Sequence, residues 1–303
     1  MTTLRVAACQ IDPQIGEVEG NLERIGEAVV GAVSAGASLV ALPEAAVTGY
    51  AFGSLEEALP VARHASAIAE DRLASVAETH RVTIVCGSLE ATADEVYNVA
   101  LVLLPDGRRF RYRKMHLPFL GIDRFATPGP DPPPVIEVDG LRFGVLICYD
   151  LRFPEAARVC ALEGADLIVL PTNWPVGVDF HPGIFAPARA AENHCYLLAC
   201  DRVGTERGVT FIGRSLLIDY DGRQLAVASD TQEELLLGEI DTEAARGTHV
   251  RRLPGEHEWD TIADRRPGLY ERLLRPGVDR QHPPTAAHFS GDVEEPVSRR
   301  RPT

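Results

Sequence analysis

The stretch GVLICYDLRFPE, residues 144–155, carries an apolar run into a cysteine, then into Tyr149, Asp150 and Arg152, then into a helix-like pattern. A thiol where a buried strand meets a helix start can project from the sheet end, near amide N–H groups that favour the thiolate. A packed core thiol is the plainer reading of Cys148. A thiol that attacks a carbonyl-type carbon needs a proton acceptor and a stabiliser for the developing charge. His116 and His181 are loop candidates for the acceptor. Glu44 is another, because it ends VALPE directly after a buried run, and a carboxylate against an apolar strand has a raised pKa that suits a base. Lys114 ends FRYRK and could supply the positive charge. Beside Arg111 and Arg113 it also reads as one more exposed cation.

Other chemistries find little support. His257-Glu258 lacks a second histidine at zinc spacing, and the nine histidines are scattered. There is no metal site, no phosphate-cradling glycine loop and no dinucleotide fingerprint. The net charge of −14 argues against a nucleic-acid or anionic-membrane partner. No apolar run approaches the roughly 18 residues that span a bilayer. MTTLRVAACQID has no signal-peptide pattern, so the expected location is cytoplasmic. The six cysteines form no Cys-x-x-Cys pair and mostly sit in apolar segments, which reads as reduced thiols.

The elements that must position these residues alternate between strand and helix. Strands are expected at residues 4–10, 38–44, 82–90, 96–109, 110–117, 141–148, 165–173, 194–203, 214–222 and 234–241. Helices are expected at 21–35 with Asn21 as N-cap, at 55–80 as one or two pieces, at 154–163 and at 183–193. Asp106-Gly107 marks a hairpin, and 118–134 reads as a Pro/Gly-rich loop. The alternation predicts an α/β protein with a mixed sheet, two sheets packing together with helices outside. GASLVALPE (36–44) echoes GADLIVLPT (164–172), and LRVAAC (4–9) more faintly echoes LRFGVLIC (141–148). If the halves are built alike, Glu44 and Thr172–Asn173 occupy matching strand ends with Cys148 beside them. Residues 1–275 read as one domain. Residues 276–303, polar and Pro-rich, read as a mobile tail.

LPEAAVTGY (42–50), YRKMHLP (112–118) and GVLICYDLRFPE (144–155) together resemble the three signature segments of the nitrilase superfamily of carbon–nitrogen hydrolases. The spacings, 70 residues from Glu44 to Lys114 and 34 from Lys114 to Cys148, fit that family. Further matches are ADLIVLPTNWP (165–175), RAAEN (189–193) and RVGTERG with FIGRS (202–215), so the resemblance covers roughly residues 4–260. It implies a four-layer α-β-β-α sandwich and a Glu44–Lys114–Cys148 triad. Glu44 would take the thiol proton and return it to the leaving amine, and Cys148 would form a thioester. Lys114 and the backbone N–H of Tyr149 would stabilise the oxyanion. No cofactor is implied.

One departure concerns a second glutamate that many members carry after the lysine. LPFLGIDRFATPG (117–129) has none, and Asp123 is the nearest carboxylate, placed to help position Lys114 or water, or only to shape its loop. Tyr149-Asp150 after the cysteine looks like the amidase branches rather than true nitrilases, which usually have Trp-Glu there. Arg152 resembles either the extra basic residue of carbamoyl-amino-acid hydrolases or an ion-pair partner common in plain amidases. Tyr50, Phe119, Asn173, Trp174 and His181 follow strand ends or lie in loops near the signature segments, where pockets form. The expected activity is hydrolysis of a small-molecule amide, an aliphatic or ω-substituted carboxamide, to acid and ammonia. A carbamoyl-amine hydrolase is the second enzyme reading, and an inactive oligomeric binding module is the non-enzyme one. The family resemblance also implies a homodimer or larger homo-oligomer, with 154–163 and 240–275 as interface candidates.

Overall fold

Strands buried on both faces give near-continuous apolar runs, and the side-chain alternation within each run decides what it packs against. In β1 (Thr3–Gln10) Val6 and Ala8 face a second sheet, whereas Ala7 and Cys9 face helices. β2 (Leu39–Ala41) and β3 (Thr83–Thr92) divide the same way: Leu39, Ala41 and Val85 point to the sheet–sheet core, Val40, Ile84 and Cys86 to the helix side. The structure, a computed structural model, describes residues 3–275 and Gly277.

The first sheet has the order β14-β1-β2-β3-β4-β5, completed by β4 (Glu95–Leu103), β5 (Arg109–Arg113) and β14 (Glu234–Asp241). The second has the order β13-β12-β9-β8-β7-β6. Its strands are β6 (Val135–Val138), β7 (Leu141–Val145), β8 (Leu167–Pro171), β9 (Tyr196–Cys200), β12 (Leu216–Ile218) and β13 (Gln224–Val227). Helices α1 (Val18–Ser34) and α2 (Leu55–His80) cover the outside of the first sheet, and α3 (Pro154–Leu162) and α4 (Ala186–Asn193) the outside of the second. The result is the expected four-layer α-β-β-α sandwich. Two hairpins, β10 (Thr205–Glu206) with β11 (Val209–Thr210) and β15 (His249–Leu253) with β16 (His257–Asp260), stand apart from the main sheets, and α5 (Thr242–Arg246) precedes the latter.

The internal echo is structural. Read from β14, the first sheet pairs antiparallel, parallel, parallel, antiparallel, antiparallel; read from β6, the second does the same. β1–β2 and β7–β8 are the matching parallel pairs. Their corners are built alike: Arg5 donates to the carbonyl of Ala35, and Arg142 to that of Glu163. Glu44 leaves β2 where Thr172 leaves β8.

Several boundaries differ from expectation. Helix α1 starts at Val18, so Asn21 lies inside it; its side chain receives the N–H of Gln14 (2.8 Å) and donates to the carbonyls of Gln14 (2.7 Å) and Val47 (3.1 Å), tying two loops to the helix. Residues 55–80 form one helix, capped by Ser54, whose hydroxyl accepts from the Glu57 N–H at 3.2 Å. Strands β6, β13, β15 and β16 were not expected as separate elements. The β6–β7 hairpin turns at Asp139-Gly140, both with positive φ. The described chain falls into two compact units, one ending at Ile262 and one beginning at Ala263. The second carries two short 3₁₀ turns, Pro267–Leu269 and Glu271–Leu274. The tail expected from 276 onward lies outside the described residues, Gly277 apart. Among the described residues no helix is long and apolar enough to cross a membrane.

Candidate active site

Glu44 stands three residues past β2, in a turn whose next residue, Ala45, has φ +49°. The turn presses onto β3 at Gly87. A Cβ there would lie 2.3 Å from the Pro43 carbonyl oxygen, 2.4 Å from the Ala45 nitrogen and 2.5 Å from the Glu44 Cα. Only glycine admits so close a backbone approach. The Glu44 side chain is fully buried.

Lys114 follows β5, its backbone N–H donating to the Asn98 carbonyl of β4 (2.8 Å). Its Nζ, also fully buried, donates to Glu44 Oε1 (2.6 Å) and Asp123 Oδ2 (2.5 Å). Asp123 comes from a 3₁₀ turn, Gly121–Arg124, inside the segment expected to be pure loop. Asn98 Nδ2 donates to Glu44 Oε1 (2.7 Å) and to Asp123 Oδ1 (2.9 Å). The Tyr50 hydroxyl lies 2.9 Å from Asp123 Oδ2 and 3.1 Å from the Leu120 carbonyl. Two carboxylates thus share one ammonium and one amide. Burial pushes the Glu44 carboxyl above its ordinary range, the Asp123 charge adds to this, and Lys114 and Asn98 pull the other way. Burial alone would lower Lys114, but Asp123, Glu44 and Cys148 outweigh it and hold the ammonium well above its usual range.

Cys148 opens the 3₁₀ turn Cys148–Arg152 with φ +43°, a conformation that non-glycine residues seldom adopt and that recurs at functional sites. The turn is pinned by buried Asp150. Its carboxylate accepts from Tyr112 Oη (2.8 Å), Ile147 N (3.1 Å) and His116 N (3.1 Å), and its Oδ1 lies 2.8 Å from His116 Nδ1. Tyr112 and His116 flank Lys114, so Asp150 ties the lysine strand to the cysteine turn. The first backbone bond of that turn is Asp150 N–H to Ile147 C=O (3.0 Å), which leaves the Tyr149 N–H ahead of it without an intrahelical acceptor. Burial, then the Glu44 charge, pushes the Cys148 thiol well above its ordinary value. Lys114, the Thr172 hydroxyl and the Asn173 N–H lower it. Burial thus favours the neutral thiol over the thiolate, so the sulfur needs a base to take its proton as it attacks.

The remaining candidates occupy varied places. Asn173 Nδ2 donates to the Glu44 carbonyl (2.9 Å), joining the matching ends of β8 and β2. Trp174 is buried and stacks on His181, ring centroids 6.0 Å apart, and His181 Nδ1 meets the Val178 carbonyl at 3.2 Å. Burial, with Arg152 nearby, lowers the His181 imidazole. Tyr149 packs edge-on against Phe153. Phe119 is 55% exposed on the surface. His116 binds Asp150 and stacks on Phe153 at 3.7 Å. Arg152 lies over Phe180 and Phe185 (5.3 and 5.6 Å) and pairs with no carboxylate among the described residues, so the ion-pair expectation for it fails. Asn98 was missed, and Asp150 and Thr172 were named for their positions without the contacts they make here. Asn98 did leave a signal, as a polar residue inside the apolar run VYNVALVL.

Residues 5–250 match the profile of the family described as Carbon-nitrogen hydrolase. The chain belongs to that family. This carbon-nitrogen hydrolase is 38% identical over 273 residues to a protein named nitrilase from Pyrococcus abyssi, covering 89% of this chain and 100% of that one. It is 32% identical over 238 residues to the 2-oxoglutaramate amidase of Bacillus subtilis, covering 78% and 90%. Among solved structures it resembles a mutant of the Nesterenkonia AN1 amidase of the nitrilase superfamily, with TM-score 0.77 and 27% identity over 89% of this chain and 97% of that one. A different mutant of that amidase shows acrylamide added at its active-site cysteine, and the first mutant is also known in complex with butyramide. These relatives place the hydrolase in the amidase-like branch of the nitrilase superfamily and make it an amidase-type enzyme.

Proposed function

We propose that this carbon-nitrogen hydrolase converts an aliphatic or ω-substituted carboxamide and water to the carboxylic acid and ammonia, through a thioester on Cys148. The observation that carries the reading is the pairing of fully buried Lys114 with Glu44 beside a Cys148 thiol that feels both charges. As the sulfur attacks the amide carbon, its proton passes to Glu44 Oε2, the oxygen that no donor engages among the described residues. Lys114 and the Tyr149 N–H stabilise the tetrahedral oxyanion. The intermediate collapses, the C–N bond breaks, and Glu44 returns the proton to the departing amine. Water then attacks the thioester, giving its proton to Glu44. The C–S bond breaks and the sulfur recovers a proton as the acid leaves. Asp123 holds Lys114 alongside Glu44. Tyr50 steadies Asp123, and the Thr172 hydroxyl and the Asn173 N–H lie beside the sulfur.

A carbamoyl-amine hydrolase is the second reading, favoured by the Arg152 guanidinium at the end of the cysteine turn, which meets no carboxylate among the described residues and could take one from a substrate. Ammonia release over matched amide and ureido substrates, with carbon dioxide measured alongside, separates the two. The expected result is ammonia from a monocarboxamide, an acyl adduct on the intact protein, and loss of both in Cys148→Ala. No ammonia and no adduct across a broad amide panel would leave only a binding module. A cytoplasmic homodimer completes the proposal. Helix α3 exposes Val159 (37%) and Leu162 (45%), an apolar strip suited to a second copy, and light scattering that returns a monomer would remove it.

A further inference from the structure

Two buried carboxylates meet one lysine in this site, yet only one can act as the base. Asp123 has both oxygens engaged, Oδ1 by Asn98 and Oδ2 by Lys114 and Tyr50. Glu44 has Oε1 engaged twice, by Lys114 and Asn98, and Oε2 by no donor among the described residues. Lys114 and Asn98 are common to both, and Asn98 is the uncharged one. Its orientation is fixed chemically, since reversing the amide would aim its oxygen at two carboxylates. Its backbone carbonyl also receives the Lys114 N–H, so one residue of β4 places the lysine and both of its partners.

We infer that Asn98 is a positioning residue that divides the labour between the two carboxylates: by occupying Glu44 Oε1 and Asp123 Oδ1 it leaves Glu44 Oε2 as the single basic oxygen facing the nucleophile and confines Asp123 to holding Lys114. This rests on the reading of Glu44 as the base. An amide N–H on a carboxylate stabilises the charged form, so Asn98 keeps a buried glutamate ionised further down the pH scale than burial alone would allow. The charged or titrating groups around Glu44 are Lys114 after β5, Asp123 from the 3₁₀ turn, Tyr50 from the loop after β2, Cys148 from its turn and Asp201 after β9. Of these, only Lys114 donates a hydrogen bond to the Glu44 carboxylate among the described residues, which leaves Asn98 as its one uncharged donor there.

The test is the pH profile of kcat/KM for a simple carboxamide in Asn98→Leu, which keeps the volume and removes the donor. The acid limb is expected to move up by about one pH unit. At neutral pH kcat/KM should fall roughly 10- to 100-fold, mainly in kcat. Asp123→Asn removes a charge that raises Glu44, so its acid limb should move down. Should the leucine variant fail to fold, Asn98→Ser, with one small donor, carries the test with a smaller upward shift. A folded variant whose profile overlays the wild type, or whose loss lies wholly in KM, overturns the inference. The pH dependence of Cys148 alkylation by iodoacetamide reports the same base without amide turnover. If the wild type hydrolyses no amide, the functional reading fails while the alkylation profile still decides the role of Asn98.

Discussion

Lys114 is the residue on which the site's charge balance turns. It is the only cation bonded to either of two buried carboxylates among the described residues, and removing one partner of a buried pair costs about 3–5 kcal/mol, because the remaining charge is stranded. Lys114→Met is therefore expected to abolish turnover and lower Tm by roughly 6–15 °C at pH 8. The deficit has a definite sign with pH. Glu44, already pushed up by burial, loses the cation that pulls it down. A carboxyl raised in the folded state destabilises as pH climbs above its unfolded value, so the gap to wild type narrows at pH 5 and widens at pH 8. Thermal melts at the two pH values check this, and a pH-independent gap contradicts the shared-ammonium picture. Glu44 and Cys148 were legible in the sequence as candidates because each follows an apolar strand, where a charged or nucleophilic residue has no packing reason to sit, whereas Lys114, in the basic run FRYRK, stood out only through the family resemblance. Asp123 was half legible, since its loop gave no periodicity and its role depends on a contact nine residues back. Asn98 was not singled out, because an internal strand position shows which face it takes only once both neighbouring strands are paired.

At the scale of elements, the long buried runs were read correctly because strands covered on both faces leave a continuous apolar signature. Short edge strands leave none. β13 alternates weakly and is mostly exposed, and β6 follows a Pro-rich stretch. The Asp139-Gly140 dipeptide signals the β6–β7 hairpin as clearly as Asp106-Gly107 signals β4–β5, but with only four residues before it the strand was absorbed into the loop. The β2–β3 contact has a sharper consequence. Gly87 lets the Glu44 turn lie on β3, and the atoms a methyl group would strike are backbone, which cannot swing away. Gly87→Ala should move Glu44 by a fraction of an ångström to an ångström and cut kcat/KM by about 100-fold. Near-wild-type kinetics in a folded Gly87→Ala protein would show that this approach does not set the base.

At the scale of the whole molecule, two sheets with the same pairing order meet face to face, and the bond from Asn173 to the Glu44 carbonyl joins equivalent strand ends across the pair. The echo between residues 36–44 and 164–172 carried that symmetry in the sequence. What it did not carry was the asymmetry of function, because the acid, the cation and the thiol enter from three unequal connections. The same layered packing sorts the cysteines. All six are free and buried, but four lie in strands or helices and Cys195 in the short α4–β9 connection, all five at 0–1% exposure, whereas Cys148, at 8%, opens a turn beyond β7. An electrophile added to the native enzyme should therefore find a single partner. Intact mass after iodoacetamide is expected to show one carbamidomethyl group per chain when native and six in denaturant, and two or more in the native state would refute the sorting. The enzyme thus keeps its own tally: mass spectrometry can count competent centres in a preparation before any substrate has been found.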